Sequence, residues 1–320
     1  MKTTIDWLAF RCQDNPWRIL ESMAPVWAVP ADLVTFQPGA RGKDGWLYAG
    51  QIMLAGDVVL GRIDYGGTSQ RGWVRVNISG EGCGWIQDWD AVERLQHVLT
   101  SATIKRLDIA LTTFKGEVTD QLVLEAHQAG KFTAGGRPPV MTHVGSSDPR
   151  AGRTRYIGSR KSHKFLRCYE KGFELLKDCP RSVRDETTHI NGDRVEEIYR
   201  VELELKDVDK LIPWECIRGR DSIFASAYPF CAELLPGLPT WRMASLPSFK
   251  AEASLDAGLD NCRTSYGRIM RAALEAYGGD KLAVIDRVLA ESPSPRLVEL
   301  GVLTLERKRV VPRARTTQAA

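Results

Sequence analysis

Apolar and polar residues alternate along several short segments of this chain, a pattern typical of β-strands with one buried face. Between residues 72 and 79, every second residue is Val or Ile, and polar residues or Trp stand between them. In chain order, the first hundred residues predict a strand over 4–10, a helix over 16–23, hairpins or loops over 39–67, a strand over 72–79, and a helix over 85–99 whose cap candidates are Asp88 and Asp90.

A second group of elements follows in a similar order. Over 104–111, Leu107, Ile109 and Leu111 share one face of a predicted strand, and Arg106, Asp108 and Ala110 share the other. The first group resembles a degenerate copy of the second, because Ile5-Asp6-Trp7 stands where the second group has Leu107-Asp108-Ile109. The later elements of this group are a helix over 119–129 and strands over 154–158, 164–170 and 199–206.

Beyond Pro213 the pattern becomes helical, with helices predicted over 214–234, 254–277 and 281–291. The predicted fold class is therefore α+β, with antiparallel sheets from two related β-α-β-type units and a mostly helical C-terminal portion. The expected boundaries are an N-terminal α+β unit over 1–100, a second α+β unit over 101–210, a helical portion over 211–306 and a basic tail over 307–320.

The composition is that of a folded protein, since 43% of the 320 residues are hydrophobic and 26% are charged. The formal net charge is only +4, but the basic residues are concentrated. Residues 150–184 contain eleven Lys or Arg against the three acids Glu170, Glu174 and Asp178, a local excess of +8. This segment alone exceeds the charge of the whole chain.

Seven widely spaced cysteines form no Cys-x-x-Cys pair, so reduced thiols are expected and a zinc site is not. The N-terminus reaches Asp6 before the apolar segment of a signal peptide could form. No stretch approaches the ~18 consecutive apolar residues of a membrane span. The protein is therefore expected in the cytoplasm, with no membrane partner.

Two acidic residues share one face of the last predicted strand. Glu202 and Glu204 alternate with apolar residues there, and Asp108 would join them if its strand is the neighbour. Three crowded carboxylates would repel one another unless a divalent cation neutralised them, and a set of oxygen ligands favours Mg²⁺ or Mn²⁺. The alternative is a ladder of ion pairs with Arg106 and Arg200, which spacing alone favours.

A tyrosine lies between two cations in the strand predicted over 164–170. Strand alternation places Arg167, Tyr169 and Lys171 on one face, where the cations would favour loss of the phenol proton and attract a phosphate. A tyrosine nucleophile suits an enzyme that breaks a phosphodiester and later restores it, because the phosphotyrosine ester stores the bond. The alternative is a tyrosine that only packs at a sheet edge, and Tyr156 is a rival nucleophile.

The segment 156–164 combines small residues with cations, a composition that suits contacts to phosphate. The alternative is a solvated basic hairpin. No GxxxxGK[ST] loop occurs in the chain, so the chain is not expected to be a helicase or ATPase of the P-loop kind. A separate motor protein would have to open a DNA duplex. The candidate DNA contacts are Arg155, Tyr156, Ser159, Arg160, Lys161, His163 and Lys164.

Three short motifs stand together: Tyr-Ile-Gly-Ser-Arg-Lys-Ser at 156–162, Phe-Leu-Arg-Cys-Tyr-Glu-Lys at 165–171 and Tyr-Arg-Val-Glu-Leu-Glu at 199–204. In this order and spacing they resemble the Rep_trans replication initiation factor family, which includes rolling-circle initiators of small plasmids and of filamentous phages. The resemblance is clearest over 104–290, and the motifs are fairly specific as a set.

The resemblance implies a rolling-circle DNA replication initiator whose two related β-α-β-type units are nicking-enzyme or RRM-like, with the catalytic nicking unit over 101–210. Such an initiator nicks and recloses one strand of the origin through a 5′-phosphotyrosine intermediate, acting as an endonuclease and strand transferase. The site residues that it implies are Tyr169 as the nucleophile, Arg167 and Lys171 beside it, and Asp108, Glu202 and Glu204 as ligands of Mg²⁺ or Mn²⁺.

The expected partners are single-stranded or supercoiled origin DNA and the host helicase and replication machinery of a bacterial cell. A homodimer is a further expectation, since an initiator that must nick twice often works as a dimer. Glu170 stands where plasmid members usually have Asn, and the long N-terminal half is more like the phage proteins, which favours a phage or prophage source. Two alternatives stay open: a non-catalytic origin-binding regulator, and a tyrosine transposase or conjugative relaxase, against which the lack of a His-x-His pair weighs.

Overall fold

The chain forms two compact units, Met1–Ala244 and Ser245–Ala320. A computed structural model describes residues 1–133, 136–208, 210–241 and 247–299. The basic tail predicted over 307–320 lies outside these ranges. None of the helices within them combines the length and the apolarity that a bilayer crossing requires.

The first unit mixes strands and helices, and the second is described as helices. The strands are β1 (Thr4–Cys12), β2 (Val34–Arg41), β3 (Tyr48–Leu54), β4 (Val58–Tyr65), β5 (Val74–Ile78), β6 (Thr103–Thr113), β7 (Met141–Val144), β8 (Thr154–Ile157), β9 (Lys164–Tyr169), β10 (His189–Ile190), β11 (Asp193–Arg194) and β12 (Tyr199–Lys206). The α-helices are α1 (Pro16–Met23), α2 (Gly80–Gly84), α3 (Trp89–Val98), α4 (Asp120–Gln128), α5 (Lys171–Leu175), α6 (Arg181–Glu186), α7 (Arg220–Ala227), α8 (Pro229–Leu234), α9 (Pro247–Ala276), α10 (Lys281–Val288) and α11 (Pro295–Glu299). The predicted α+β class is confirmed.

Ten of these strands form one antiparallel sheet in the order β2-β3-β4-β5-β1-β6-β12-β9-β8-β7. β1 and β6 lie side by side at its centre. In the first half of the sheet, formed by β1 to β5, the strand β5 lies next to the central strand β1, and β2 lies at the edge. In the second half, formed by β6 to β9 and β12, the strand β12 lies next to the central strand β6, and β7 lies at the edge. The two halves therefore have the same strand order, mirroring the repeated order of elements along the chain.

One face of the sheet carries the core. In β12, Val201, Leu203 and Leu205 point into a continuous apolar cluster, which residues of α1, α3, α4, α7 and α8 complete. Because side chains alternate along a strand, the intervening residues, among them Glu202 and Glu204, lie on the opposite side. We call this side of the sheet, which carries the polar strand residues, the polar face.

Side-chain caps begin α3 and α4, two of the helices that pack on the core. Asp88 Oδ1 accepts a hydrogen bond from the Ala91 nitrogen at 2.7 Å, so Asp88 rather than Asp90 caps α3. Thr119 caps α4 in the same way, through the Leu122 nitrogen at 3.2 Å. A cap of this kind contributes about 1 kcal/mol, and the cap of α4 positions the helix whose first residue, Asp120, pairs with a buried arginine described below.

Candidate active site

Strand pairing gathers the predicted chemistry on the polar face of the second half of the sheet. β12 lies between β6 and β9. In this register Glu204 lies opposite Asp108 of β6, and Glu202 lies opposite Arg167 of β9. The strand of Asp108 is therefore the neighbour of the strand that carries both glutamates, as the acidic-cluster prediction requires.

Tyr169 is a buried phenol that donates a hydrogen bond to Glu202. Its Oη lies 3.2 Å from Glu202 Oε2, and Arg167 Cζ lies 4.8 Å from the centre of its ring. Burial and Glu202 raise the pKa of Tyr169 well above its usual value, and Arg200 and Arg167 do not offset this rise. The prediction that Arg167 and Lys171 favour loss of the phenol proton does not hold in this structure, because burial disfavours the charged phenolate and both cations are paired, Arg167 with Glu202 and Lys171 with Glu174. Glu202 is in place to accept the proton instead.

Arg167 binds the carboxylate that accepts from Tyr169. Its Nη2 lies 2.8 Å and 2.7 Å from the two oxygens of Glu202. Burial lowers the pKa of Arg167, but Glu202 more than offsets this, so the pKa lies above its usual value. The guanidinium therefore stays charged beside the phenol.

Lys171 does not share a strand face with Tyr169. β9 ends at Tyr169, and Lys171 is the first residue of α5. Gly172 permits this turn, since a Cβ there would lie 2.0 Å from the backbone oxygen of Val195. The strand-face prediction is wrong for Lys171, although its Nζ still lies 5.9 Å from the centre of the Tyr169 ring. The same Nζ donates to Glu174 Oε2 at 2.5 Å.

The acids of the predicted metal site are paired with basic side chains. Arg106 donates to both oxygens of Asp108, at 2.9 Å from Nε and 2.5 Å from Nη2. The same Nη2 lies 2.9 Å from Glu204 Oε2, and Lys206 Nζ lies 2.5 Å from Glu204 Oε1. The ion-pair ladder that spacing favoured is therefore present around Arg106.

The donor set nevertheless suits a hard cation. Three carboxylates supply the oxygen ligands that Mg²⁺ and Mn²⁺ prefer. Glu204 Oε1 is buried and accepts no well-oriented hydrogen bond, although Lys206 Nζ is close. Within the described ranges, however, no three acidic, His or Cys side chains converge as metal ligands would. A cation would have to displace Arg106 before Asp108 and Glu204 could both bind it.

Asp108 is 2% exposed, and its protonation is strongly perturbed. Burial, together with the negative charges of Glu202 and Glu204, raises the pKa of Asp108 to about 7 against the opposing effect of Arg106. This carboxyl therefore changes its charge near neutral pH. A bound cation would favour its ionised form.

The hairpin that joins β8 to β9 carries an aromatic stack on the polar face. Arg160 Cζ lies 5.0 Å from the centre of the Tyr156 ring and 5.3 Å from that of Phe165. The two rings stack with their centres 5.6 Å apart. Since Tyr156 lies opposite Arg167 in the β8–β9 pair, this stack adjoins Tyr169.

Three other candidate contacts lie at the turn of the same hairpin. Ser159 and Lys161 are exposed, and Ser159 Oγ accepts from the Lys161 nitrogen at 3.2 Å. His163 Nδ1 lies 2.5 Å from the backbone oxygen of Lys206. Ser159 and Lys161 can therefore reach a ligand in solvent, whereas His163 ties the hairpin to β12.

Arg155 and Lys164 face away from the polar face. Arg155 is buried and donates to Asp120 of α4, at 2.7 Å from Nε to Oδ1 and 2.6 Å from Nη2 to Oδ2. Lys164 Nζ donates to the backbone oxygen of Ala227 at 2.5 Å and lies 3.8 Å from the centre of the Tyr228 ring. Both side chains are engaged on the helix-packed side, so we exclude them from the candidate DNA contacts.

Two ion pairs that the sequence pattern did not reveal hold the site in place. Arg200 Nη1 donates to Asp6 Oδ1 at 2.8 Å, linking β12 to β1. Glu170 accepts from the backbone nitrogen and from the guanidinium of Arg153, both at 2.7 Å, which holds the turn after Tyr169. Glu170 thus has a structural role at the position where the resemblance implied Asn. The only signal in the sequence was Asp6, in the segment that resembles 107–109.

Residues 102–237 match the family model Rep_trans, which is described as replication initiation factor. This segment contains Tyr169, Arg167, Lys171 and the three acids of the predicted metal site. Residues 102–237 are a Rep_trans domain. The resemblance carried by the three motifs is confirmed there, and the Rep_trans domain comprises the second half of the sheet, the β10–β11 hairpin and the helices α4 to α8.

The fold of the chain is similar to that of a rolling circle replication initiator protein from Geobacillus stearothermophilus. The TM-score is 0.51 and the identity is 19%, over 74% of this chain and 85% of that chain. This likeness concerns the fold and extends over a larger share of the chain than the Rep_trans domain. A comparison with curated proteins gives no match.

Proposed function

We propose that the Rep_trans domain initiates rolling-circle replication by nicking and reclosing one strand of origin DNA with Tyr169. The observation that carries this proposal is the hydrogen bond from Tyr169 Oη to Glu202, on a polar sheet face and beside Arg167. The family of the domain and the fold shared with a rolling circle initiator support it. The substrate is single-stranded or supercoiled origin DNA, and a phage or prophage is the proposed source.

The proposed step is an exchange of one phosphate ester for another. Tyr169 Oη attacks the phosphorus, and the phenol proton passes to Glu202. The bond between phosphorus and the 3′ oxygen breaks, the leaving oxygen takes up the proton from Glu202, and the 5′ phosphate stays on the tyrosine. Closing is the reverse, with a 3′ hydroxyl as the nucleophile.

Cations around Tyr169 would stabilise the negative charge that develops on the phosphate. Arg167 Cζ lies 4.8 Å from the centre of the Tyr169 ring, and Lys171 Nζ lies 5.9 Å from it. Mg²⁺ or Mn²⁺ held by Asp108, Glu202 and Glu204 would supply further polarisation of the phosphate when bound. With the cation bound, Arg106 would no longer pair with Asp108 and Glu204. Without it, Arg106 pairs with both.

The test incubates the full chain with Mn²⁺ and single-stranded origin fragments labelled at the 3′ end. We expect a protein–DNA adduct that survives denaturation and retains the label, because the 5′ end of the labelled product is joined to the protein. A non-catalytic regulator is the second candidate, which the ion-paired acids favour. It predicts specific binding without an adduct.

Mn²⁺ is expected to raise the melting temperature more at pH 8 than at pH 6. Asp108 has a pKa of about 7, so protons compete with the cation below that pH. Without metal, the native state binds more protons than the unfolded chain between the ordinary value of 3.8 and about 7, so the contribution of Asp108 to stability falls as pH rises through that window. Scanning calorimetry with and without Mn²⁺ measures both effects.

Asp108→Asn provides the control for this pH dependence. The variant should lose the Mn²⁺ shift and the fall in stability between pH 4 and pH 7, because its amide does not titrate. An equal Mn²⁺ shift at both pH values, or an undiminished shift in Asp108→Asn, would contradict the assignment of Asp108 as a ligand.

Arg160→Ala is expected to weaken binding of single-stranded origin DNA by about tenfold, since base stacking and phosphate contacts depend on such side chains. The change removes the guanidinium that lies over Tyr156 and Phe165. Fluorescence anisotropy gives the Kd. Arg94→Ala on α3 is the matched control, because Arg94 is exposed on the helix-packed side, and equal Kd values for the two variants would disprove this role of Arg160.

A further inference from the structure

Strand register aligns side chains in a row that crosses the polar face from the first half of the sheet to the active site. Neighbouring strands lie about 4.8 Å apart, so seven strands give a row of roughly 29 Å. The row ends beside the active site, because Arg106 binds Asp108 and Glu204. Its members are Gln37, Gln51, Arg62, Asn77, Ala9, Arg106 and Lys206.

A second row lies beside the first and is also basic. Its members are Ala49, Asp64, Arg75 and Arg11. Asp64 is fully buried between Arg62 Nε at 2.8 Å and Arg75 Nε at 3.0 Å. The two rows together hold five cations and this one acid, and the cations Arg75, Arg106 and Lys206 also pair with acids outside the rows: Asp44, Asp108 and Glu204.

Three tryptophans lie against the cations of these rows. Arg11 Cζ lies 4.3 Å from the centre of the Trp73 ring, Arg75 Cζ lies 5.7 Å from that of Trp46, and Arg106 Cζ lies 4.9 Å from that of Trp7. Two donors among them, Arg11 Nε and Trp7 Nε1, are buried without a hydrogen-bond partner. A donor left in this way favours a ligand that brings an acceptor.

The first half repeats the layout of the active site with different chemistry. In β9 and β12, Tyr169 lies opposite Arg200, and Arg167 lies opposite Glu202. The strands at the equivalent places in the first half are β4 and β5. There an acid lies opposite an arginine, and an arginine lies opposite an amide, in the pairs Asp64–Arg75 and Arg62–Asn77. The arrangement of cations is kept, but the nucleophile and its proton acceptor are replaced.

We propose that the polar face of the first half binds single-stranded DNA and leads the strand to or from Tyr169. Cations interleaved with flat aromatic rings are characteristic of surfaces that bind single strands, because the rings stack on bases and the cations contact phosphates. The neutral members Gln37, Gln51 and Asn77 add hydrogen-bonding groups without negative charge. DNA as the ligand rests on the proposed function, whereas the binding does not need the chemistry of Tyr169.

The test adds negative charge to the row and leaves every ion pair of the face intact. Gln37 and Gln51 are exposed, so Gln37→Glu with Gln51→Glu changes the charge without burying it. Gln121→Glu with Gln128→Glu is the matched control, because both residues are exposed on α4, which packs on the other side of the sheet. Fluorescence anisotropy with a labelled origin oligonucleotide carrying a long single-stranded extension gives Kd at several salt concentrations.

The row variant is expected to bind about tenfold more weakly, with a salt dependence of log Kd reduced by about one, and the control should stay within about twofold of the wild type. Gln37→Lys with Gln51→Lys should bind several-fold more tightly, a gain that misfolding cannot produce. Equal Kd values for all variants, or an equal loss in the control, would overturn the proposal. So would a change of self-association in the row variant with unchanged DNA binding, since the face would then bind protein.

Covalent capture separates this inference from the proposed function. The row variant should still form the adduct with a short fragment that covers only the nick site, because the residues around Tyr169 are unchanged. A wild-type protein that binds the long oligonucleotide through the row but forms no adduct would disprove nicking and support the binding face. If the wild type forms the adduct and the row variant binds the long oligonucleotide as tightly as the wild type, nicking would be supported and the binding face would be disproved.

Discussion

Tyr169→Phe is expected to abolish covalent capture of the 5′ end of nicked origin DNA and to leave the fold intact. Tyr169 is 6% exposed, so the phenyl ring keeps its packing and loses only the hydroxyl that donates to Glu202. Removing a covalent nucleophile costs about 10⁶-fold in rate. The adduct should therefore fall below detection on a denaturing gel, while the melting temperature stays close to that of the wild type.

Tyr156→Phe is the matched control for this experiment. Tyr156 lies on the polar face one strand away from β9, opposite Arg167, and its ring would remain under Arg160 in the variant. Capture should persist in Tyr156→Phe. Capture that survives in Tyr169→Phe and disappears in Tyr156→Phe would move the nucleophile to Tyr156, the rival that the sequence left open.

Arg155→Ala is expected to destabilise the first unit by about 3–5 kcal/mol, the cost of leaving a buried charge without its partner. The side chains of Arg155 and Asp120 are 10% and 4% exposed and are joined by two hydrogen bonds. Once Arg155 is removed, Asp120 keeps the longer contact to Arg153 Nη1, at 3.7 Å from its Oδ2. Urea unfolding followed by circular dichroism gives the change in the free energy of unfolding.

Arg94→Ala is the comparison, because the Arg94–Asp88 pair is exposed and contributes less than about 1 kcal/mol. Arg155→Ala combined with Asp120→Asn should recover part of the lost stability, since no buried charge is left unpaired. Below its unfolding transition, Arg155→Ala should bind origin DNA with the Kd of the wild type. A variant of undiminished stability that binds DNA more weakly would return Arg155 to the DNA contacts.

Elements with a regular apolar period were predictable from the sequence. The strand predicted over 199–206 is β12 with the same bounds, and the helix predicted over 16–23 is α1. In both elements one side packs on the apolar core, so the spacing of their apolar residues follows the packing directly. β7 was not predicted, because most of its residues are exposed and its sequence has no alternation to read.

The candidate site was predictable to the extent that it depends on strand alternation. The shared side of Glu202 and Glu204 follows from a period of two and holds in β12. The placement of Lys171 failed, because alternation was extended one turn beyond the end of β9. The prediction about the phenol proton failed for another reason, since burial disfavours the charged phenolate and Arg167 is paired with Glu202 of a neighbouring strand.

The sequence by itself determined the strands β1, β5, β6, β8, β9 and β12 of the sheet, the alternation of residues along them, and the three motifs that mark the Rep_trans domain. Only the tertiary structure decided that Glu204 lies opposite Asp108, that Arg155 points into the core, and that the first half of the sheet continues the polar face. The physical reason is the distance along the sequence between the residues that interact. Alternation is a property of neighbouring residues, whereas register, burial and ion pairing depend on residues far apart, as in the pair of Arg200 with Asp6, 194 positions away.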